Sequence, residues 1–251
     1  MSRPETPVRT GARRAELAEA LRAVRQRIGD ACASAGRDPG EVRLIAVTKT
    51  FPAEDVALLT DLGLTEFGEN RDQEARRKVD ELADLRPAAP ARWHMVGRLQ
   101  RNKVRSVAGW AAEVQSVDSP RLADALANAV AAARESGTRS GPLDVLVQAS
   151  ADADPRRGGC PLPELPAVAD AVAGSGDLVL RGVMLVAPMG VDPETAFEAT
   201  SKAWQQVRRD HPEATEFSAG MSGDMEAAIR HGSSCVRVGT ALLGGRRLAS
   251  P

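Results

Sequence analysis

The stretch EVRLIAVTKTF, residues 41–51, ends an apolar run with a lysine. Lys49 is either a solvated residue just past a strand or a primary amine placed for its nucleophilicity. Composition bears on the choice. Of the 33 basic residues 29 are arginine, and lysine stands only at positions 49, 78, 103 and 202. A guanidinium stays protonated in proteins, whereas an amine can lose its proton and attack a carbonyl. In a chain that writes positive charge as arginine, a lysine points to a role that arginine cannot fill.

Other polar residues follow apolar runs in the same way. Asn70 closes GEN, His94 and Arg98 fall in WHMVGR, Ser218 precedes AGMSGD, and Gly239-Thr240 follows CVRV. Gly220 and Gly223 let the backbone turn closely. Ser222 stands where a helix, GDMEAAIRHG, is expected to begin, so its hydroxyl and nearby N–H groups could face an anion. Gly239 and Thr240 open the final helix alike. An ordinary helix cap at Ser222 explains the same residues, with Asp224 and Glu226 complementing the dipole of the first turn. Arg237 alternates with Val236 and Val238 in a strand with little access to water. Its guanidinium needs an acceptor, either a carboxylate elsewhere in the fold or a ligand atom. His94 beside Trp93 reads first as a satisfied core histidine. The run RDQEARRKVDEL, residues 71–82, reads as a solvated helix face with acid–base pairs four apart.

Several function classes lack their signals. No G-x-G-x-x-G or G-x-x-x-x-G-K-[ST] marks a nucleotide loop, and His94, His211 and His231 show no metal-ligand spacing. Cys32, Cys160 and Cys235 are far apart and form no C-x-x-C, which fits a reducing cytoplasm. A net charge of −1 gives no field for nucleic acid or an acidic membrane. The chain has no apolar run of the roughly 18 residues that span a bilayer, and its N-terminus lacks the apolar stretch of a secretory signal.

These residues must be held by a fold, and the apolar pattern predicts one. Leu17, Leu21, Val24 and Ile28 mark one face of a helix that stops near Gly36. Eight strands follow, over residues 42–47, 65–68, 93–97, 113–117, 144–149, 180–187, 215–219 and 235–239. Helices lie between them, with Pro52 and Ser119-Pro120 as starts and a long one filling 193–209. The third unit has room for only a short helix. Alternation of this kind predicts a single α/β domain, a (β/α)8 TIM barrel with an extra N-terminal helix, over residues 13–251 after a flexible tail of residues 1–12. An open doubly wound sheet shows the same alternation. In a barrel the ligand sits at the C-terminal ends of the strands, and phosphate often sits in the loops after strands seven and eight. That is where the polar residues fall.

The blocks LIAVTKTFP, FGEN, WHMVGRLQRNK, SAGMSGDMEAAIRHGS and VRVGTALLGGR resemble those of the pyridoxal phosphate homeostasis proteins, in the same order, over about residues 20–247. The resemblance implies a barrel of the alanine racemase N-terminal type that holds pyridoxal 5′-phosphate as an imine on Lys49. It implies that Ser222, Gly239 and Thr240 hold the phosphate, with Met221 beside them. Arg237 then approaches the pyridine nitrogen, and Asn70, Ser218 and His94 line the cofactor. Arg71 and Arg157 depart from the family, which usually has an aromatic and often a lysine at these positions. The implied function is intracellular buffering and delivery of the cofactor to dependent apoenzymes, by a monomer or weak dimer. An amino-acid racemase is the alternative. Its usual second base is a tyrosine on an added C-terminal domain, yet the chain has no tyrosine and ends eleven residues after Thr240. A cofactor-free isomerase would need a carboxylate base, for which Glu69 is the candidate.

Overall fold

The computed structural model describes residues 7–154 and 156–245. Helix α1 (Pro7–Ser34) comes first, followed by β1 (Arg43–Val47), α2 (Ala53–Asp61), β2 (Glu66–Glu69), α3 (Asp72–Leu85) and β3 (Arg92–Met95). The middle holds α4 (Val104–Trp110), β4 (Glu113–Val117), α5 (Pro120–Glu135), β5 (Leu143–Ser150), a two-residue β6 (Cys160–Pro161) and α6 (Leu165–Ala173). The chain continues through β7 (Leu178–Leu185), α7 (Pro193–Asp210), β8 (Glu216–Ser218), α8 (Met225–Arg230), β9 (Cys235–Val238) and α9 (Thr240–Leu243). Each of the eight expected strands is present, and the third unit does carry a short helix, α4.

All strand pairings are parallel, in the order β4-β3-β2-β1-β9-β8-β7-β5, and pairing of β4 with β5 closes the cylinder. Closure rejects the open-sheet alternative. The expectation missed β6, which adds to β5 through Ala149 and Cys160. Two residues are too short to carry a period. Helix α1 begins at Pro7, inside the span 1–12 expected as a tail; residues 1–6 and 246–251 lie outside the described residues.

Parallel strands covered by helices bury both faces, and here the two faces differ in chemistry. Outward-facing residues such as Ala46, Phe67, Val114 and Val236 pack in two apolar layers under the ring of helices. The stripe Leu17, Leu21, Val24 and Ile28 of α1 belongs to one of them, buried as its spacing predicts. The inside is largely polar. Arg43 of β1 reaches Glu113 of β4, a strand not adjacent to it, so its side chain crosses the interior. Among the described residues, no helix is long and apolar enough to cross a membrane.

Candidate functional site

Register brings the expected residues, His94 apart, to the ends of four adjacent strands, β2, β1, β9 and β8. In the β1–β9 ladder Ile45 is the partner of Arg237 and Ala46 of Val238, so the ends of these strands place the Lys49 turn beside Gly239 and Thr240. Ser218 ends β8, the other neighbour of β9, and its partner there is Cys235. Asn70 follows β2, on the far side of β1. Gly97 allows this close approach, because a Cβ there would lie 2.7 Å from the Asn70 Cα.

Lys49 is half-buried in a turn after β1, and among the described residues no side-chain partner holds it. The turn itself is tightly held. Thr50 has φ of 69°, a conformation that costs a β-branched residue energy, so its surroundings must impose it. The Glu74 carboxylate accepts from the Thr50 N–H. On the other side of Lys49, the Thr48 hydroxyl donates to Glu69 Oε1 at 2.6 Å, and the Thr48 carbonyl accepts from Lys78 Nζ at 2.8 Å. Lys78 also meets Glu69 Oε1 at 2.5 Å and Glu74 Oε1 at 3.3 Å. Lys78 is therefore a buried residue, 2% exposed, in a helix expected to present a solvated face. Glu69, the candidate isomerase base, is fully buried in the same group, and its Oε2 has no partner among the described residues. Burial pushes its carboxyl up, against the pull of Lys78 and Thr48.

Arg237 is 4% exposed. Its NH1 donates to Ser218 Oγ at 2.6 Å and its NH2 to the Leu185 carbonyl at 2.8 Å, and no carboxylate pairs with it among the described residues. Burial holds its guanidinium below the usual value. The Ser218 hydroxyl in turn donates to Gln115 Oε1 at 2.8 Å, and Gln115 Nε2 donates to Glu113 Oε1 at 2.6 Å. A hydrogen-bonded column thus runs from Arg237 to the charged cluster at the N-terminal ends of the strands.

His94 belongs to that cluster and not to the mouth. Its Nδ1 meets Glu113 at 3.0 Å and its Nε2 meets Glu66 at 2.7 Å, and the ring is fully buried. Both nitrogens are taken, so the core-histidine reading is the one the geometry supports. Burial alone would lower its pKa, but the two carboxylates outweigh that and hold it above the ordinary value.

Ser222 does not cap the helix that follows it. The residue before α8 is Asp224, whose side chain accepts from the Met221 N–H at 2.6 Å. Ser222 Oγ instead accepts from Ala241 N–H in α9 at 3.2 Å, tying the loop after β8 to the loop after β9. Gly220, at φ of 96°, makes the tight turn into this loop, and a Cβ there would meet Met225 Cα at 2.9 Å. From the other side, Arg27 of α1 donates to the Ser222 carbonyl at 3.0 Å and pairs with Glu226 at 2.7 Å. Met221 is 39% exposed, and Thr240 is exposed at the first position of α9. A cleft of about 520 Å³ opens to one side, between the start of α3 and the loop after β3; of the expected residues only Asn70 lines it.

Of the two departures, Arg71 is exposed in that cleft. Arg157 is engaged: it donates to the Val186 and Ala187 carbonyls at 3.2 and 2.9 Å and pairs with Asp152 at 3.2 Å, pinning the loop after β5 over the end of β7. Among the described residues no cluster of potential metal ligands occurs.

Comparison with known proteins identifies the family and the fold. The family described as "Alanine racemase, N-terminal domain" matches residues 11–247. A pyridoxal phosphate homeostasis protein of Mycobacterium leprae is 48% identical over 250 residues, covering 96% of this chain and 97% of that protein. The structure of PipY from Synechococcus elongatus with PLP bound superposes with a TM-score of 0.76 at 31% identity, over 91% of this chain and 100% of that one. An alanine racemase from Corynebacterium glutamicum shares the fold, with a TM-score of 0.69 at 15% identity; the match covers 95% of this chain and 62% of the racemase. By barrel and sequence, the chain belongs to the alanine racemase N-terminal domain family, among the pyridoxal phosphate homeostasis proteins.

Proposed function

We propose that the chain binds pyridoxal 5′-phosphate reversibly through Lys49 and serves to hold and release the cofactor for dependent apoenzymes, without amino-acid turnover of its own. One observation carries the reading. Arg237 is a nearly fully buried guanidinium that no carboxylate pairs among the described residues, on the strand next to β1, which leads into the Lys49 turn. A buried cation left in this state fits a ligand with its own acceptor atoms. The relative whose structure holds PLP is 31% identical, and its full length is matched.

The residues present suit the cofactor. Lys49 supplies a primary amine, held by its turn at the open end of the barrel. Ser222, Gly239 and Thr240, with Met221 alongside, would hold the phosphate, where the loop after β8 is joined to the start of α9 by the Ser222–Ala241 hydrogen bond. Asn70 and Ser218 would line the ring, and Arg237 would serve its nitrogen. When bound, the cofactor contributes an aldehyde carbon open to a primary amine. A guanidinium is too weak an acid to protonate the ring nitrogen, so this partner leaves the ring a poor electron sink, which favours storage over turnover.

The racemase reading lacks its second base. The sequence contains no tyrosine, and His94 has both ring nitrogens occupied by Glu113 and Glu66. A cytoplasmic setting agrees with three buried free cysteines.

Borohydride reduction of the loaded protein followed by peptide mapping tests the proposal. The label is expected on Lys49 alone, and Lys49→Ala is expected to lose all yellow absorbance on desalting. Retention of the chromophore by that variant at wild-type strength rejects the assignment.

A further inference from the structure

Lys49 has five residues around it whose connections do not involve the ligand. Thr48 and Thr50, its two neighbours in sequence, are gripped from outside the turn by Lys78, Glu69 and Glu74. Lys78 Nζ meets three oxygens at once: the Thr48 carbonyl at 2.8 Å, Glu69 Oε1 at 2.5 Å and Glu74 Oε1 at 3.3 Å. Glu69 Oε1 takes the Thr48 hydroxyl as well, and Glu74 takes the Thr50 N–H. Glu74 and Lys78 are one turn apart on α3, and Glu69 is the last residue of β2. The turn bearing the reactive amine is thus bolted to a helix and a neighbouring strand.

The chemistry of Lys78 fits this task. An ammonium offers three donors around one point, whereas a guanidinium spreads five in a plane. Three acceptors converging on one nitrogen suit the first and not the second, in a chain that otherwise uses arginine 29 times out of 33. The arrangement is also demanding. Two charged groups are nearly or fully buried, and one oxygen of Glu69 has no partner, so an apolar pair of similar volume would serve mere stability as well. The positive φ of Thr50 gives the clamp something to oppose, because the turn relaxes if released.

We infer that Lys78, with Glu69 and Glu74, is a positioning device that fixes the Lys49 turn and thereby sets how slowly bound pyridoxal phosphate is released. This rests on the proposed function, since it presumes attachment at Lys49. The clamp deepens that reading by locating the control of release in residues that do not touch the cofactor. Its outer end is open to influence, because Glu74 is about one-fifth exposed and lines the cleft beside α3.

The test loads wild type, Lys78→Met, Lys78→Arg and Glu74→Ala with pyridoxal phosphate and follows the yellow absorbance that stays with the protein after timed desalting. Melting temperature is measured in parallel. Lys78→Met and Lys78→Arg are both expected to release the cofactor about ten- to a hundredfold faster, the range seen for supporting contacts behind a reactive group. Glu74→Ala is expected to do so severalfold, with a melting temperature near wild type. Release at the wild-type rate from all folded variants overturns the inference. So does recovery of the wild-type rate by Lys78→Arg, which would show that charge and not three-point geometry matters. If the position 78 variants fail to fold, Glu74→Ala decides alone. Failure of the parent reading looks different: wild type itself would then take no borohydride label at Lys49.

Discussion

The two ends of the barrel interior are built from similar residues and do opposite things with them. At the N-terminal end every cation has a carboxylate. Arg43 pairs with Glu66 at 3.0 Å, with Glu113 at 3.2 Å and with Glu216, while Arg92 and Arg181 share Asp144 at 2.5 and 2.7 Å. At the C-terminal end Lys49 and Arg237 have none among the described residues. Buried charges that satisfy one another hold strands together, and those left without an ionic partner are available to a ligand. The position of a charge along a barrel strand therefore tells more about its use than its type does.

Removing the hub of the closed end is expected to have the largest effect. Arg43→Met removes the cation shared by Glu66, Glu113 and Glu216, leaving only His94 and Arg92 to offset them among the described residues, and loss of about 3 kcal/mol is expected in urea unfolding. If the variant unfolds at the wild-type midpoint, the cluster is not what joins these strands.

Acid attacks the same cluster. Burial alone would raise the pKa of Glu113, but the bonds and charges of His94, Arg43 and Gln115 outweigh it and hold the carboxyl at about 2, against an ordinary 4.5. A lowered folded pKa stabilises above the unfolded value and is lost as pH falls through the folded one. Stability is thus expected to drop between pH 4.5 and about 2, by about 3 kcal/mol from this group. Glu66, also lowered, adds to the loss. Glu216, raised by burial and by Glu113, opposes it. His94 has the other sign, since a raised folded value contributes below pH 6.5 and is lost as pH climbs through it. Urea midpoints across this range should give a dome falling on both sides, and a flat profile would remove the charged column from the account of stability.

The open end is expected to respond in binding with little change in stability. Arg237→Met deletes a buried charge that no carboxylate misses, so urea unfolding of the cofactor-free protein should move by less than about 1 kcal/mol while cofactor affinity falls about tenfold. Equal losses in both would merge the two ends and break the comparison.

Much of this was legible in the residue pattern. The eight strands, the short third helix, the stripe on α1 and the grouping of Lys49, Ser218, Ser222 and Arg237 at strand ends all follow from local alternation and turn residues. The misreadings share one cause. Residues 71–82 have the charge pattern of a solvated helix, yet Lys78 turns inward because carboxylates from β2 and its own helix wait there. Ser222 looks like the cap of α8 but serves α9, a partner that only the adjacency of β8 and β9 supplies. His94, read from its neighbours as a core histidine and placed at the cofactor only by the resemblance, follows the same rule, its ring engaged by acids from two other strands.

By itself the sequence determined which segments become strands and helices, because periodicity acts over a few residues, and which side chains carry a primary amine, because that is chemistry of one residue. Tertiary structure decided which charges cancel and which stay available. That depends on closure of the cylinder and on strand register, which bring together carboxylates and cations tens of residues apart and which no local pattern encodes.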